Sequence, residues 1–323
     1  MSTASAPVQP PDPDPAGPTR EGVRRWGAGR RVETMQTRTL GNQQVGAIGL
    51  GLMTFDQTGA QPRQQLIDTV SAALEAGVTL FDTADAYGPG DEKGAGAQGE
   101  NERLIVSILD ELGVRDQVFL ATKGGHVRTD GGGWDTDSSA DHLRAAVDDS
   151  LRRIGVDQLS LWQHHRPDPK VPYDEVIGTI KEIADSGKVA HVGLSNANPE
   201  QIRAAHAVLG EKLVSVQNQF SPKFRSSKPE IDVCEELGLA FLPWSPLGGL
   251  SDAKELAHKH PAFAEIAAAR GVSAQQVALA WELAQSPVVI PIPGAKRPSS
   301  ITDSAAAAEI ELSADEVERL DAS

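Results

Sequence analysis

Residues 80–88 read LFDTADAYG, an apolar pair followed at once by two carboxylates and one of the chain's two tyrosines. Leu80 and Phe81 look like the end of a buried strand, with Asp82, Asp85 and Tyr87 just beyond it. Three further polar residues stand at the ends of later apolar runs: Lys123 closes QVFLATK, and His164 and His165 close QLSLWQHH. An acid, a phenol, an ammonium and an imidazole can together deliver a proton. A phenol of pKa near ~10 is a poor donor at neutral pH by itself. A neighbouring ammonium favours the phenolate and lowers that pKa. A buried lysine needs a counter-ion, which Asp82 can supply. A histidine can bond and orient a reacting oxygen. The set suits protonation of a carbonyl oxygen as hydride arrives at carbon.

Other chemistries fit less well. There is no G-x-S-x-G elbow, and Cys234, the only cysteine, falls in a helical pattern. One cysteine excludes an internal disulfide and any multi-thiolate metal site. His164 and His165 are adjacent on a strand, so they face opposite sides, and no HExxH occurs; no metal is expected. By strand parity Leu159, Leu161, Gln163 and His165 share one face. If that face is the interior, His165 belongs to the site and His164 packs under a helix. A formal charge of −15 argues against a nucleic-acid or anionic-membrane surface. No apolar run is long enough to span a membrane, and no secretory h-region precedes the pattern; a cytoplasmic location is expected. Residues 1–34, rich in Pro, Gly and Ala, read as a disordered leader.

Eight apolar runs must position these groups: 45–53, 78–83, 117–123, 158–164, 190–195, 213–218, 239–245 and 288–293. Amphipathic stretches separate them. RQQLIDTVSAALEAG (63–77) has one apolar face and a closing glycine. SSADHLRAAVDDSLRRIG (138–155) opens on a serine cap and places Leu143, Val147, Leu151 and Ile154 on one stripe. Asn198 with Pro199, Ser273 with Gln276, and Ser313 with Glu316 mark further helix starts. Eight continuous apolar strands alternating with helices predict an α/β fold, a closed (β/α)8 TIM barrel of one domain over 35–323. The alternative is an open doubly wound sheet. Its dinucleotide fingerprint is only partly met by GLGLMT at 49–54, and no P-loop occurs. In such barrels chemistry sits where strands end, and seven successive runs end in polar or Gly/Pro-rich residues.

In order and spacing, LFDTADAYG, FLATKGG, LWQHHRPDP, HVGLSN, SVQNQFSP, PWSPLGG and PIPGAKRP resemble the signatures of the aldo-keto reductase superfamily, over about residues 36–310. The HRPDP form is more similar to its bacterial and potassium-channel β-subunit branch. The resemblance implies a barrel that binds a nicotinamide cofactor without a Rossmann fold. It implies Tyr87 as general acid, Lys123 tuning it, Asp82 holding Lys123 and His165 positioning the carbonyl. Ser195, Asn196 and Gln217 match positions that bond the nicotinamide carboxamide, and Phe220 the position of a stacking tyrosine. Ser245, Leu247 and Gly248 match the loop over the pyrophosphate. Gly294 ends the PIPG motif, and Ser300, Asp303 and Ser304 stand where an arginine, an acid and an asparagine often face the adenosine.

The missing arginine leaves Lys296 and Arg297 to meet a 2′-phosphate, so NADPH is expected and NADH is not excluded. The Gly-rich stretches 88–100 and 124–137 are candidates for a substrate rim, with His126 and Trp134 as contacts. Two functions follow. One is NAD(P)H-dependent reduction of an aldehyde or ketone, the partner being a small carbonyl substrate. The other is a cofactor-bound regulatory subunit of the channel-associated type. Substrate identity and oligomeric state are not legible, and Asp85 reads as a turn residue bonding local backbone.

Overall fold

The computed structural model describes residue 1 and residues 35–55, 61–88, 98–129, 133–249 and 252–323. The expected leader, beyond its first residue, and most of the 88–100 stretch lie outside the described residues. The first elements are an antiparallel hairpin, β1 (Thr37–Leu40) and β2 (Gln43–Gly46); the apolar run 45–53 joins the end of β2 to the first barrel strand. Its two-residue turn places Gly41 at φ +60°, a left-handed conformation that glycine adopts without cost. There follow β3 (Leu50–Gly51), β4 (Leu80–Asp82), β5 (Phe119–Gly124), a second hairpin β6 (His126–Arg128) and β7 (Trp134–Thr136), then β8 (Leu159–His164), β9 (Val189–Ser195), β10 (Leu213–Gln217) and β11 (Ala240–Phe241).

Strands β3, β4, β5, β8, β9, β10 and β11 form one parallel sheet in chain order. The eighth apolar run joins its two edges. Phe241 N donates to Val288 O and Ile290 N to Phe241 O, both at 2.8 Å; Gly49 N donates to Pro291 O at 2.8 Å and Gly51 N to Pro293 O at 3.0 Å. Pro291 and Pro293 lack N–H groups, so this segment accepts from β3 and gives no regular ladder. A Cβ on Gly51 would stand 2.7 Å from Ile292 O, so the seam needs a glycine there. The result is the (β/α)8 barrel that the alternation predicted.

Helices α1 (Arg63–Glu75), α2 (Glu100–Leu112), α3 (Ala140–Ile154), α4 (Tyr173–Asp185), α5 (Pro199–Leu209) and α6 (Lys228–Leu237) follow successive strands. Beyond β11 come α7 (Asp252–Lys259), α8 (Pro261–Arg270), α9 (Ala274–Ala284), α10 (Pro298–Ala306) and α11 (Ala314–Asp321). In α3 Leu143, Val147 and Ile154 form the buried face, and α11 packs on α8 and α9. The boxes at Asn198, Ser273 and Ser313 cap α5, α9 and α11 with both reciprocal bonds. Ser139 stands at the start of α3 without accepting a cap bond.

Inside the barrel, Leu80, Ala121, Leu161, Ala240, Leu242, Ile290 and Ile292 pack with Leu40 and Val45 of the first hairpin. Gly46 N donates to Thr79 Oγ1 at 3.0 Å, just ahead of β4, so the hairpin plugs the end where strands begin. The opposite rim is left open for chemistry. Among the described residues no helix is long and apolar enough to cross a membrane, and no group of three or more His, Cys, Asp or Glu could hold a metal ion.

Candidate active site

At the open rim lies a cleft of about 1120 Å³. That exceeds the roughly 300–1,000 Å³ of a pocket for one small ligand. Asp82 and Tyr87 line its floor, with Lys123 buried between them. Lys123 Nζ donates to Asp82 Oδ2 at 2.6 Å, to Thr83 O at 2.8 Å and to the Tyr87 hydroxyl at 3.3 Å. Asp82 Oδ1 accepts from Gln163 Nε2 at 3.0 Å and from Gln217 Nε2 at 2.8 Å. The register explains the meeting: Asp82 pairs with Ala121 on β5, two residues before Lys123, and Lys123 pairs with Gln163 on β8, so the three side chains rise from adjacent strands on one inward face. Gly193 on β9 makes room, since a Cβ there would stand 2.9 Å from Gln163 Cγ. Gln163 was not singled out from sequence as a functional residue, although parity had placed it on the inward face.

Ionisation follows from burial and contact. Burial draws the Lys123 pKa down, but attraction to Asp82 and Tyr87 outweighs it and the net shift is upward. For Tyr87 burial raises the pKa and dominates, although Lys123 pulls it down. The neighbouring ammonium alone predicts a lowered value; withdrawal of the phenolate from water is the larger effect. Tyr87 is therefore a protonated phenol at neutral pH. His165 is held well below the ordinary imidazole value by burial first, then by Lys123, His126, Arg166 and His164, so it is neutral. Its ring meets Tyr87 edge-on, with centroids 5.6 Å apart. His164 faces away and bonds Ser138 Oγ at 2.8 Å ahead of α3, as parity requires. Asp85 does lie in a turn, with Asp85 N bonded to Lys123 O at 3.1 Å. Its side chain is buried, however, and burial followed by the nearby Glu102 pushes its pKa well up.

Within the stretch 124–137 the described residues pair β6 with β7 and give a built face. His126 and Trp134 stack with centroids 4.6 Å apart, and His126 meets His165 edge-on at 4.9 Å. His126, Trp134, Tyr87 and His165 all line the cleft. Burial, then Arg166 and Arg128, lower the His126 pKa to about 4.

Ser195, Asn196 and Gln217 line the next sector. Ser195 Oγ donates to Gln217 O at 2.8 Å, and Asn196 Nδ2 donates to His165 O at 3.1 Å. Asn196 at φ 58° and Ser245 at φ 51° are the described non-glycine residues with left-handed backbone, and both line the cleft. Strain of this kind gathers at ligand sites. Leu247, Gly294, Lys296, Arg297, Ser300 and Ser304 complete the far end. Lys296 and Arg297 immediately precede α10, whose N-terminus opens on the cleft through Ser299 and Ser300. Helix N-termini and cations both favour an anion. Asp303 is held by Ser273 Oγ and Gln276 Nε2, each at 2.9 Å.

Two expected cofactor contacts do not reach the cleft. Phe220 is buried, stacked on Trp281 at 5.2 Å and edge-on to Phe241, so its ring is spent in the core. On the Ser245 side of the cleft the lining aromatic is Trp244, half-buried. Gly248, at φ 82°, shapes the loop between Leu247 and Gly249 without lining the cleft itself.

A model described as the aldo/keto reductase family matches residues 47–323. The chain belongs to that family. This aldo/keto reductase is 36% identical over 275 residues to a 6-dehydroglucose reductase of Novosphingobium aromaticivorans, covering 82% of this chain and 87% of the relative. It is 31% identical over 309 residues to probable aldo-keto reductase 1 of Glycine max, covering 86% of each. A crystal structure of an aldo/keto reductase from Klebsiella pneumoniae, in complex with NADP and acetate, matches with TM-score 0.74 and 26% identity, covering 90% of this chain and 95% of the other. Membership makes the protein an oxidoreductase.

Proposed function

We propose that this aldo/keto reductase reduces a small aldehyde or ketone to the alcohol, with NADPH as hydride donor and Tyr87 as general acid. The observation that carries this reading is the Lys123 ammonium bonded at once to Asp82 and to the Tyr87 hydroxyl on the cleft floor. The cleft fits a dinucleotide: it is large, its far end carries Lys296 and Arg297, and two strained residues shape its wall. Ser195, Asn196 and Gln217 would hold the carboxamide, and Trp244 offers a flat face for the nicotinamide ring. Lys296, Arg297, Ser300 and the α10 N-terminus would hold the 2′-phosphate, with Ser304 beside the adenosine. Bound there, the reduced nicotinamide supplies hydride to the carbonyl carbon.

The chain supplies the rest. Tyr87 passes its phenolic proton to the carbonyl oxygen. Lys123 stabilises the phenolate left behind, and Asp82 keeps Lys123 charged and in place. Neutral His165 donates one hydrogen bond to the same oxygen and fixes its approach. His126 and Trp134 wall the substrate end. A relative named for 6-dehydroglucose supports placing sugar aldehydes first in a substrate panel.

Tyr87→Phe should lower the single-turnover rate of NADPH oxidation by about 10²–10⁴-fold while leaving the Kd for NADPH unchanged. A wild-type rate in that variant sinks the assignment of the acid. Absence of turnover on any carbonyl, with tight cofactor binding, would favour the binding-subunit reading. Replacing Lys296 and Arg297 by Ala should raise the Kd for NADPH on the order of tenfold or more, each charged hydrogen bond being worth about 1.5–3 kcal/mol, and leave that for NADH nearly unchanged. Equal effects on both cofactors would remove the preference for NADPH.

A further inference from the structure

We propose that Arg128 is a positioning residue for Tyr87, and that through Trp134 it couples the proton donor to the substrate-facing hairpin. The proposal rests on the reading of Tyr87 as the acid. Tyr87 lies five residues beyond the end of β4, in a turn, so the strand does not itself fix it. Its backbone is held by Tyr87 N to Ala84 O and by Asn101 N to Tyr87 O, each at 3.2 Å. The flanking carbonyls are held from the hairpin. Arg128 Nε donates to Ala86 O at 3.2 Å, and Arg128 Nη2 donates to Gly88 O at 3.4 Å. One buried guanidinium thus spans the residues on either side of the proton donor.

The same guanidinium packs on the rim. Its Cζ lies 3.8 Å from the Trp134 ring centroid. Arg128 and Trp134 are opposite one another in the β6–β7 register, which puts both side chains on one face of the hairpin. His126, two residues before Arg128, shares that face and stacks on Trp134. His126 touches His165, and His165 touches Tyr87. The contacts close a circuit: the Tyr87 turn, Arg128, Trp134, His126, His165 and the Tyr87 ring. A planar fork with donors in one plane and a stacking face can make both sets of contacts. A lysine ammonium has no such plane and would keep at most part of them.

Proton transfer is sensitive to misplacement of the donor, a shift of about 1 Å costing up to ~10²-fold. Arg128→Met should therefore lower the single-turnover rate by about 10–100-fold. The Kd for NADPH should stay within about twofold of wild type, because the cofactor contacts lie on other strands. The isotope effect on kcat with NADPH deuterated at the transferred position should rise, since the chemical step alone is slowed. Arg128→Lys should recover part of the rate, and added methylguanidinium should raise the rate of Arg128→Ala. The alkaline limb of kcat should not move, because Arg128 acts through backbone carbonyls.

An unchanged single-turnover rate in Arg128→Met overturns the proposal. So does a loss that matches a lower stoichiometry of cofactor binding with an unchanged isotope effect, which would mark a folding defect. Tyr87→Phe measured alongside separates the two readings. If it keeps the wild-type rate, the acid is misassigned; if it is dead while Arg128→Met is fully active, only the positioning role fails.

Discussion

Asp82 and Glu282 are both buried carboxyl groups in one barrel, and they are built in opposite ways. Asp82 at the end of β4 receives Lys123, Gln163 and Gln217, and its charge is matched. Glu282, within α9, is fully buried, and neither oxygen has a partner among the described residues. Burial alone pushes its pKa well up, so it holds its proton. A buried charge is kept where an ion pair and hydrogen bonds offset desolvation; elsewhere the group neutralises itself. Asp82 is matched by partners from three other strands of the sheet, whereas Glu282, packed within a helix, is neutralised by its own proton.

The largest effect should come from breaking the matched carboxylate. Asp82→Leu leaves the Lys123 ammonium buried and unpaired, which should destabilise the fold by about 3–5 kcal/mol in denaturant unfolding. Asp82→Asn keeps the shape and should cost about 10²–10⁴-fold in the single-turnover rate. If either variant behaves as wild type, the contrast with Glu282 collapses.

The unmatched carboxyl should respond in the other direction. Its folded pKa is raised above an unfolded value near ~4.3. Below that value both states hold the proton and no stability is lost. As pH rises above it the unfolded chain releases the proton while the folded one keeps it, so stability falls until the folded pKa is passed. Glu282→Leu should remove this slope: little gain near pH 4, then a gain growing by up to about 1.4 kcal/mol per pH unit within that window. Chemical unfolding at a series of pH values measures it, and a gain independent of pH would show that Glu282 is ionised in the folded protein.

The smallest effect should sharpen the matched end. Burial lifts Tyr87 and Lys123 holds it down. The rate of reduction should therefore stay level up to about pH 9 and fall only above the ordinary tyrosine value of ~10, as the protonated phenol is lost. Lys123→Met removes the opposing cation, so the residual rate should fall at still higher pH. A limb that moves down in that variant would mean the ammonium does not face the phenol.

Much of this was legible beforehand because barrel strands announce themselves as short apolar runs, and the rim is where those runs stop. Asp82, Lys123 and His165 each follow from that rule, and the choice of His165 over His164 follows from strand parity. Phe220 was misread because proximity to the end of β10 does not reveal which way a loop residue turns. Its ring met Trp281 and Phe241, contributed from elsewhere in the chain. The 124–137 stretch looked like an open Gly-rich loop, but cross-strand stacking of Arg128, His126 and Trp134 accompanies a hairpin there. The closing run 288–293 reads as the eighth strand despite its prolines, which remove its regular ladder.

By itself the sequence determined the alternation of strand and helix and which chemical groups stand at the rim, since both depend on local periodicity and on residue type. Only the tertiary structure decided which of those groups touch and in what state they ionise. Lys123 and Asp82 are 41 residues apart and bond because β4 and β5 are neighbours in register. The upward shift of Tyr87 is a sum over burial and charges drawn from separate parts of the chain, and a sum of that kind exists only once the barrel has closed.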